Sequence, residues 1–302
     1  MSARGLGWLR DKPAQRTTKR YQAPRGALLT GLPPTSDISS FDVLGTADQG
    51  PLGQCTGVST SQAIINGDVA ALVVGGANLE QARQNVVRSS AYALYFWGRY
   101  YDYMSVAGAS GTFMAQFQRQ DSDAGSSHAS VCAGISAMGL PPESAWPYDP
   151  SYDPANDGPT CKYRLRPDQE AERLGFDNRG ELVVLGIDDE SQDQRLLDLV
   201  HALAVDKHSP LIGVNVSQPF CDEAFDPNVA VDAPSPKQVV GGHALHIVGH
   251  RTEADGSISF KVHMSWGEGP FAYVWFSHGY VLDVGTQLTI VKRVPMFQRG
   301  GA

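Results

Sequence analysis

The hydrophobic pattern of this chain changes period once, and that change restricts the fold more than any other feature. From about residue 55 to residue 140 apolar residues recur at helical spacing: Leu79, Ala82, Val86 and Val87, then Val131, Cys132, Ile135, Met138 and Leu140. Between these runs, Ala91–Met104 holds seven aromatic residues, a stripe that reads as helix core rather than a ligand box. Beyond residue 180 the pattern is β-branched or alternating. Leu182–Ile187, Leu211–Val216, Ala244–Val248, Ile258–Met264, Tyr273–Phe276 and Leu288–Val294 are separated by turn residues, which predicts strands. One helix interrupts them, with Leu196, Leu197, Val200 and Leu203 on one face. The stretch 141–180, dense in Pro, Asp and Tyr, reads as a long irregular connection. Helices first and strands afterwards predict an α+β fold with a helical part and a sheet or barrel part.

The 302 residues suffice for one two-lobed unit or two closely packed domains. The expected division is an N-terminal arm at 1–31, a helical lobe at 32–175 and a β-rich lobe at 176–302. The arm is rich in basic residues, Gly and Pro, including Pro13 and Pro24, and has no sustained periodicity. A formal net charge of −8, spread along the chain, argues against a nucleic-acid surface, which needs a basic patch. No apolar run approaches the ~20 residues needed to span a bilayer. The basic N-terminus lacks the apolar stretch of a secretory signal, which implies the cytoplasm or export by a route without such a signal. Cys55, Cys132, Cys161 and Cys221 are too sparse for a disulfide framework, and no C-x-x-C pair suggests zinc. Whether Cys132, Cys161 and Cys221 form a bridge is left open.

Three segments carry chemistry. In Gln49-Gly50-Pro51-Leu52-Gly53-Gln54-Cys55-Thr56 a tight loop leads into a sequence that can start a helix. A cysteine at that junction feels the positive end of the helix dipole, which favours the nucleophilic thiolate. The second segment, Gly241-Gly242-His243-Ala244-Leu245-His246-Ile247-Val248, reads as a strand whose glycines allow close approach of a backbone or substrate. The third is Val262-His263-Met264-Ser265-Trp266-Gly267.

In this order the three segments resemble the papain-like cysteine peptidases, whose pattern is Gln-Gly-x-x-Gly-x-Cys, then His followed by small and apolar residues, then Asn-Ser-Trp-Gly. The separation from Cys55 to His243, 243 − 55 = 188 residues, and the Thr after the cysteine are similar to the bacterial branch. Asp121-Ser122-Asp123-Ala124-Gly125-Ser126, Trp146-Pro147-Tyr148 and Gly279-Tyr280-Val281 extend the likeness to about residues 32–295. The resemblance implies a papain-like two-lobe fold, a helical lobe and an antiparallel sheet or barrel lobe with the active-site cleft between them. It implies hydrolysis of peptide bonds through a thioester, with Cys55 as nucleophile and His243 as general base and then acid. Gln49 would offer its amide to the developing oxyanion, beside the backbone N–H of Cys55. Trp266 would shield the histidine. Gly125, Ser126, Gly242 and Ala244 would line the path of an extended peptide or protein substrate. No cofactor, metal, nucleic acid or membrane span is implied, and the oligomeric state is not legible. Family members are often made with a pro-segment in the cleft. The arm is too short for the long helical kind, but it could still cover the site.

One position departs from the pattern: Met264 stands where the family has the Asn that orients the imidazole. A thioether is a weak acceptor. Ile258, Phe260, Val262 and Met264 share one face of the predicted strand, so Met264 is expected to be buried with His263 pointing away. This leaves room for a papain-like scaffold, weakened or inactive, that binds a peptide or partner without cleaving it. It also leaves room for transfer of the acyl group to an amine, as in a ligase or transpeptidase. A metal site from His243, His246 and His250 needs a helical face, whereas the Gly-Gly start and the Ile-Val pair favour a strand, on which His243 and His246 point to opposite sides.

Overall fold

The computed structural model describes residues 5–12, 15, 19–43, 47–107, 113–187, 191–283 and 286–295. Parts of the arm, Pro13 among them, and the last seven residues of the chain therefore lie outside the described residues. Helices come first: α1 (Cys55–Val74), α2 (Leu79–Asn85), α3 (Ala91–Ala107), α4 (Phe113–Gln120), α5 (His128–Met138) and α6 (Gln169–Asp177). A short strand, β1 (Thr35–Asp37), precedes them. The remainder is β2 (Gly180–Gly186), α7 (Gln192–Ala204), β3 (Leu211–Ser217), the one-turn α8 (Gln218–Cys221), β4 (Val239–Thr252), β5 (Ile258–His263), β6 (Tyr273–Ser277), the one-turn α9 (His278–Val281) and β7 (Gln287–Pro295). The strands run antiparallel in the order β2-β7-β3-β4-β5-β6, with β1 added along β4. The sheet does not close into a barrel among the described residues. No described helix is long and apolar enough to cross a membrane. The architecture is the α+β arrangement that the change of period predicts.

Helix α1 is the axis of the helical part. Fifteen of its 20 residues are buried, including every one from Cys55 to Asn66, so that stretch has no solvent face and must be covered on every side. Ala63 and Ile64 pack with Leu94 of α3, Val131 and Ile135 of α5, Leu211 of β3 and Val291 of β7 in one cluster. Gly57 lets α3 approach, because a Cβ there would lie 2.4 Å from the Ala91 carbonyl oxygen. The aromatic stripe of α3 is core: Tyr92, Tyr95, Phe96 and Trp97 are buried. A second cluster fills the space between α7 and the sheet, through Leu199, Leu203, Ile212, Leu245, Ile247, Phe260 and Met264.

Two local differences from the sequence expectation have simple causes. Part of the 141–180 connection is α6, started by the Asp168 side chain accepting from the Ala171 N–H at 2.8 Å. Strand β4 is longer than Ala244–Val248, since Gly241 and Gly242 keep pairing with Val216 and Asn215 of β3. Tertiary pairing overrides the low strand propensity of Gly-Gly. All four cysteines are free thiols, which settles the open question of a bridge.

Arg293 of β7 and Asp68 of α1 tie the sheet to the helix through a nearly buried ion pair. Burial raises the Asp68 carboxyl despite the neighbouring guanidinium. Arg293 also donates to the Asn178 carbonyl at 3.0 Å. Asp68→Ala leaves that guanidinium buried without its counter-ion and should cost about 3 kcal/mol of stability. Replacing both partners together with apolar residues should cost much less. Chemical denaturation of the two variants checks this.

Candidate active site

The loop Gln49–Gln54 delivers Cys55 to the first position of α1, with Gly50 in a left-handed conformation (φ +58) at its turn. Cys55 has no exposed surface. Burial pushes its thiol up to about 11, although backbone groups of Ala244, Gly7 and Thr56 hydrogen-bond to the sulfur and oppose the rise. The helix N-terminus was expected to favour thiolate. In this closed arrangement burial moves the thiol in the opposite direction, above its ordinary range.

His243 lies on β4 opposite Val214 of β3 and is fully buried. Its ring stacks on Trp266 with centroids 4.6 Å apart and an interplanar angle of 25°. The next residue, Ala244, packs with Cys55. The cysteine helix and the histidine strand therefore meet, and Trp266 covers the histidine ring. Gln49 is buried behind the loop. Its amide nitrogen donates to the carbonyls of Gly5 (2.9 Å) and Leu52 (2.8 Å), and its oxygen accepts from the Ser265 hydroxyl. Ser265 thereby fixes which end of the Gln49 amide faces the cleft.

Met264 is buried in the sheet-side core. His263 points elsewhere, with its Nδ1 at 2.9 Å from His246 Nε2 and 3.1 Å from Asp42. His250 uses its own Nε2 on the Pro33 carbonyl at 3.1 Å. His243, His246 and His250 thus engage different partners and do not converge. Phe220 is buried core packed on Trp266 and Phe276.

The space in front of Cys55 is filled by the chain's own arm. The Leu9 N–H donates to the Ser126 carbonyl at 2.8 Å, and the Ser126 N–H donates to the Gly7 carbonyl at 2.6 Å. On the opposite wall the Trp8 N–H donates to the Gly242 carbonyl at 3.2 Å. Backbone pairing on the helical side runs through Ser126; Gly125 instead donates its N–H to the Tyr95 hydroxyl at 3.2 Å. The Trp8 indole lies over Gly213 of β3, where a Cβ would come within 2.0 Å of the ring. Trp8, Cys55 and Ala244 form one buried cluster. The arm's glycines are required by proximity. A Cβ on Gly7 would sit 1.8 Å from the Gly53 carbonyl oxygen, and one on Gly5 2.1 Å from that of Leu52. Further along, Asp11 accepts from the Ala129 N–H at 3.0 Å, and Gly186 donates to the Lys19 carbonyl at 3.0 Å. The sequence reading named no arm residue as part of the site. The available signal was Gly5-Leu6-Gly7-Trp8, small residues beside a large ring in an otherwise polar segment.

A scan for known protein families returns no match, and no curated protein matches the sequence. Solved structures do match. Xylellain, a cysteine protease from Xylella fastidiosa, is 20% identical with a TM-score of 0.70, the alignment covering 97% of each chain. Procathepsin B S9 from Trypanosoma congolense is 16% identical with a TM-score of 0.59, covering 97% of this chain and 87% of that one. Digestive procathepsin L 3 of Tenebrio molitor larval midgut is 17% identical with a TM-score of 0.56, covering 96% and 76%. The chain therefore has the papain-like fold.

Because a Cβ at either arm glycine would lie inside van der Waals range of a carbonyl oxygen, Gly7→Val should expel the arm while leaving the cleft walls unchanged. Iodoacetamide labelling of Cys55, followed by intact mass, should accelerate about tenfold or more, as expected when ~1.4 kcal/mol or more of closure is lost. The sign for pH follows from the raised thiol. The closed form binds the thiol proton more tightly than the open form, so closure weakens as pH rises through the open-form pKa. In the unaltered chain labelling should climb toward about pH 11, and in Gly7→Val the midpoint should move to lower pH.

Proposed function

We propose that this chain is a papain-like cysteine peptidase whose N-terminal arm closes its own cleft. One observation carries the reading: an extended peptide segment, Gly7–Leu9, is hydrogen-bonded to both walls of the cleft directly over Cys55. A cleft that pairs backbone on both sides through Ser126 and Gly242 has the chemistry to hold an extended polypeptide whatever its side chains. Cys55 attacks the scissile carbonyl, His243 takes the thiol proton and later gives it to the leaving amine, and water releases the acyl group. Gln49, which already donates to a peptide carbonyl, that of Gly5, stabilises the oxyanion. Trp266 keeps water from one face of the imidazole. Gly125, Ser126, Gly242 and Ala244 line the substrate path, Ser126 and Gly242 through their backbones. The helical and β-rich portions, about 32–175 and 176–302, form the two walls.

The arm occupies the cleft as an inhibitor would, and a backbone group of Gly7 hydrogen-bonds to the Cys55 sulfur. Two of the similar solved structures are themselves described as procathepsins. Release of residues 1–31 would open the cleft, resolvate Cys55 and let the thiol ionise beside His243.

Met264, buried in the hydrophobic core, favours a second reading: a scaffold that binds peptides without cleaving them. Kinetics on an arm-released form separates the two. Peptide cleavage should appear when residues 1–12 are removed, vanish in Cys55→Ala and fall about a hundredfold or more in His243→Ala, the scale of general-base catalysis. Met264→Asn should raise kcat if the imidazole is only loosely oriented. If arm-released protein cleaves no peptide from a diverse library and its Cys55 alkylates no faster than an ordinary thiol, the binding scaffold is the correct description.

A further inference from the structure

A second cluster of reactive side chains lies beneath the cleft, at the junction of helix and sheet. His246 of β4 and His263 of β5 are direct cross-strand partners, and His263 is in turn paired with Tyr273 of β6. The three side chains form a ladder across neighbouring strands. Asp42, from the turn after β1, reaches this ladder from the other side. One ligand-capable atom from each of Asp42, His246 and His263 lies within 4.8 Å of the others, and all three residues are buried.

The hydrogen bonds around the cluster orient these atoms. The Ser209 hydroxyl donates to the Ile247 carbonyl at 2.8 Å, so it can only accept from His246 Nδ1, 2.7 Å away. That puts the His246 proton on Nδ1 and leaves Nε2 as a bare lone pair aimed at His263. Asp42 is held likewise: Asn66 of α1 donates to one carboxylate oxygen at 2.6 Å and Tyr273 to the other at 2.6 Å. In the metal-free cluster a single proton on His263 Nδ1 must serve two acceptors, His246 Nε2 at 2.9 Å and Asp42 Oδ2 at 3.1 Å. Two imidazole nitrogens and a carboxylate oxygen converge, His246 held from behind by Ser209 and Asp42 by Asn66 and Tyr273, while the His263 ring stacks on Tyr273. That is the donor set and outer shell of a zinc site.

We propose that Asp42, His246 and His263 bind a structural zinc ion as its three protein ligands, with a solvent oxygen in the fourth position and Tyr273 kept as the hydrogen-bond donor to Asp42. Ligand atoms at about 2.0–2.1 Å from a tetrahedral centre lie roughly 3.3–3.4 Å apart. Admitting the ion therefore asks the two histidines to separate by a few tenths of an ångström. The proton shared on His263 Nδ1 leaves as the ion enters, so one proton is released for each zinc bound. The ion joins β4, which carries His243, and β5 to the Asp42 turn, and through Asn66 to α1, which begins at Cys55. It pins together the two elements that meet at the cleft, and it does not depend on the peptidase reading.

The test uses the full chain with Cys55→Ser, so that the thiol takes no ion. Protein refolded with zinc and freed of excess should retain stoichiometric zinc by mass spectrometry of the metal. Zinc should also raise its Tm, and cobalt in its place should give the intense visible bands of a tetrahedral nitrogen–oxygen site. His263→Gln preserves a hydrogen-bonding side chain but removes the ligand; it should lose the zinc and the zinc-dependent rise in Tm. Absence of stoichiometric zinc in the Cys55→Ser chain overturns the proposal, as does equal zinc retention in the His263→Gln form. Should that variant fail to fold, the cobalt spectrum of the Cys55→Ser chain decides: a weak octahedral spectrum overturns the site and a tetrahedral one supports it.

Discussion

The burial of α1 on all sides from Cys55 to Asn66 is the constraint on which the rest of the structure depends. A helix with fifteen of 20 residues buried can exist only if α3, α5 and the sheet all reach it. Cys55 therefore sits where the Gln49–Gln54 loop meets a helix whose residues 55–66 are all buried. The polar residues it carries inward must find partners: Ser61 bonds Ser89, Asn66 bonds Asp42 and Asp68 meets Arg293. Each of these contacts ties α1 to a segment distant in sequence. A shift of the helix by one turn would break all of them together, so the position of the thiol is determined collectively.

The cleft and its covering arm follow from glycine on both sides. Gly7 faces Gly53 and Gly125, and Trp8 faces Gly213 and Gly242. Where no Cβ intervenes, two backbones approach closely enough to exchange N–H and C=O groups, and an indole can lie flat on a sheet. The closed arrangement desolvates Cys55 completely and favours its neutral thiol. The coverage of Cys55 and the rise of its thiol thus have one physical cause, exclusion of water from a site that Trp8 packs against.

Much of the fold was legible because it rests on periodicity, a local property. The runs at Leu211–Val216 and Tyr273–Phe276 sit on β3 and β6 within a residue of their ends, and the aromatic stripe of α3 is core. Helix α6 was not read, since its nine residues carry too short a pattern and only the Asp168 cap marks its start. The burial of Phe220 was not legible, because a phenylalanine in a Pro- and Asp-rich stretch gives no sign of the Trp266 and Phe276 rings it packs on. Of the site, Gln49, Cys55, His243 and Trp266 were picked out as three separated segments, and the expectation that His263 points away from Met264 agrees with its bonds to His246 and Asp42.

By itself, then, the sequence determined the α+β order, the cysteine at a helix start, the histidine on a strand and the departure at Met264. These are statements about neighbours along the chain, where side-chain spacing decides which face each residue takes. Only the tertiary structure decided that residues 5–9 lie over Cys55, that burial raises its thiol, and that His246 faces His263 and Asp42 rather than His243. Those outcomes depend on which distant backbones approach within hydrogen-bonding range. Packing of the buried α1 against the sheet sets that approach, and no local pattern encodes it.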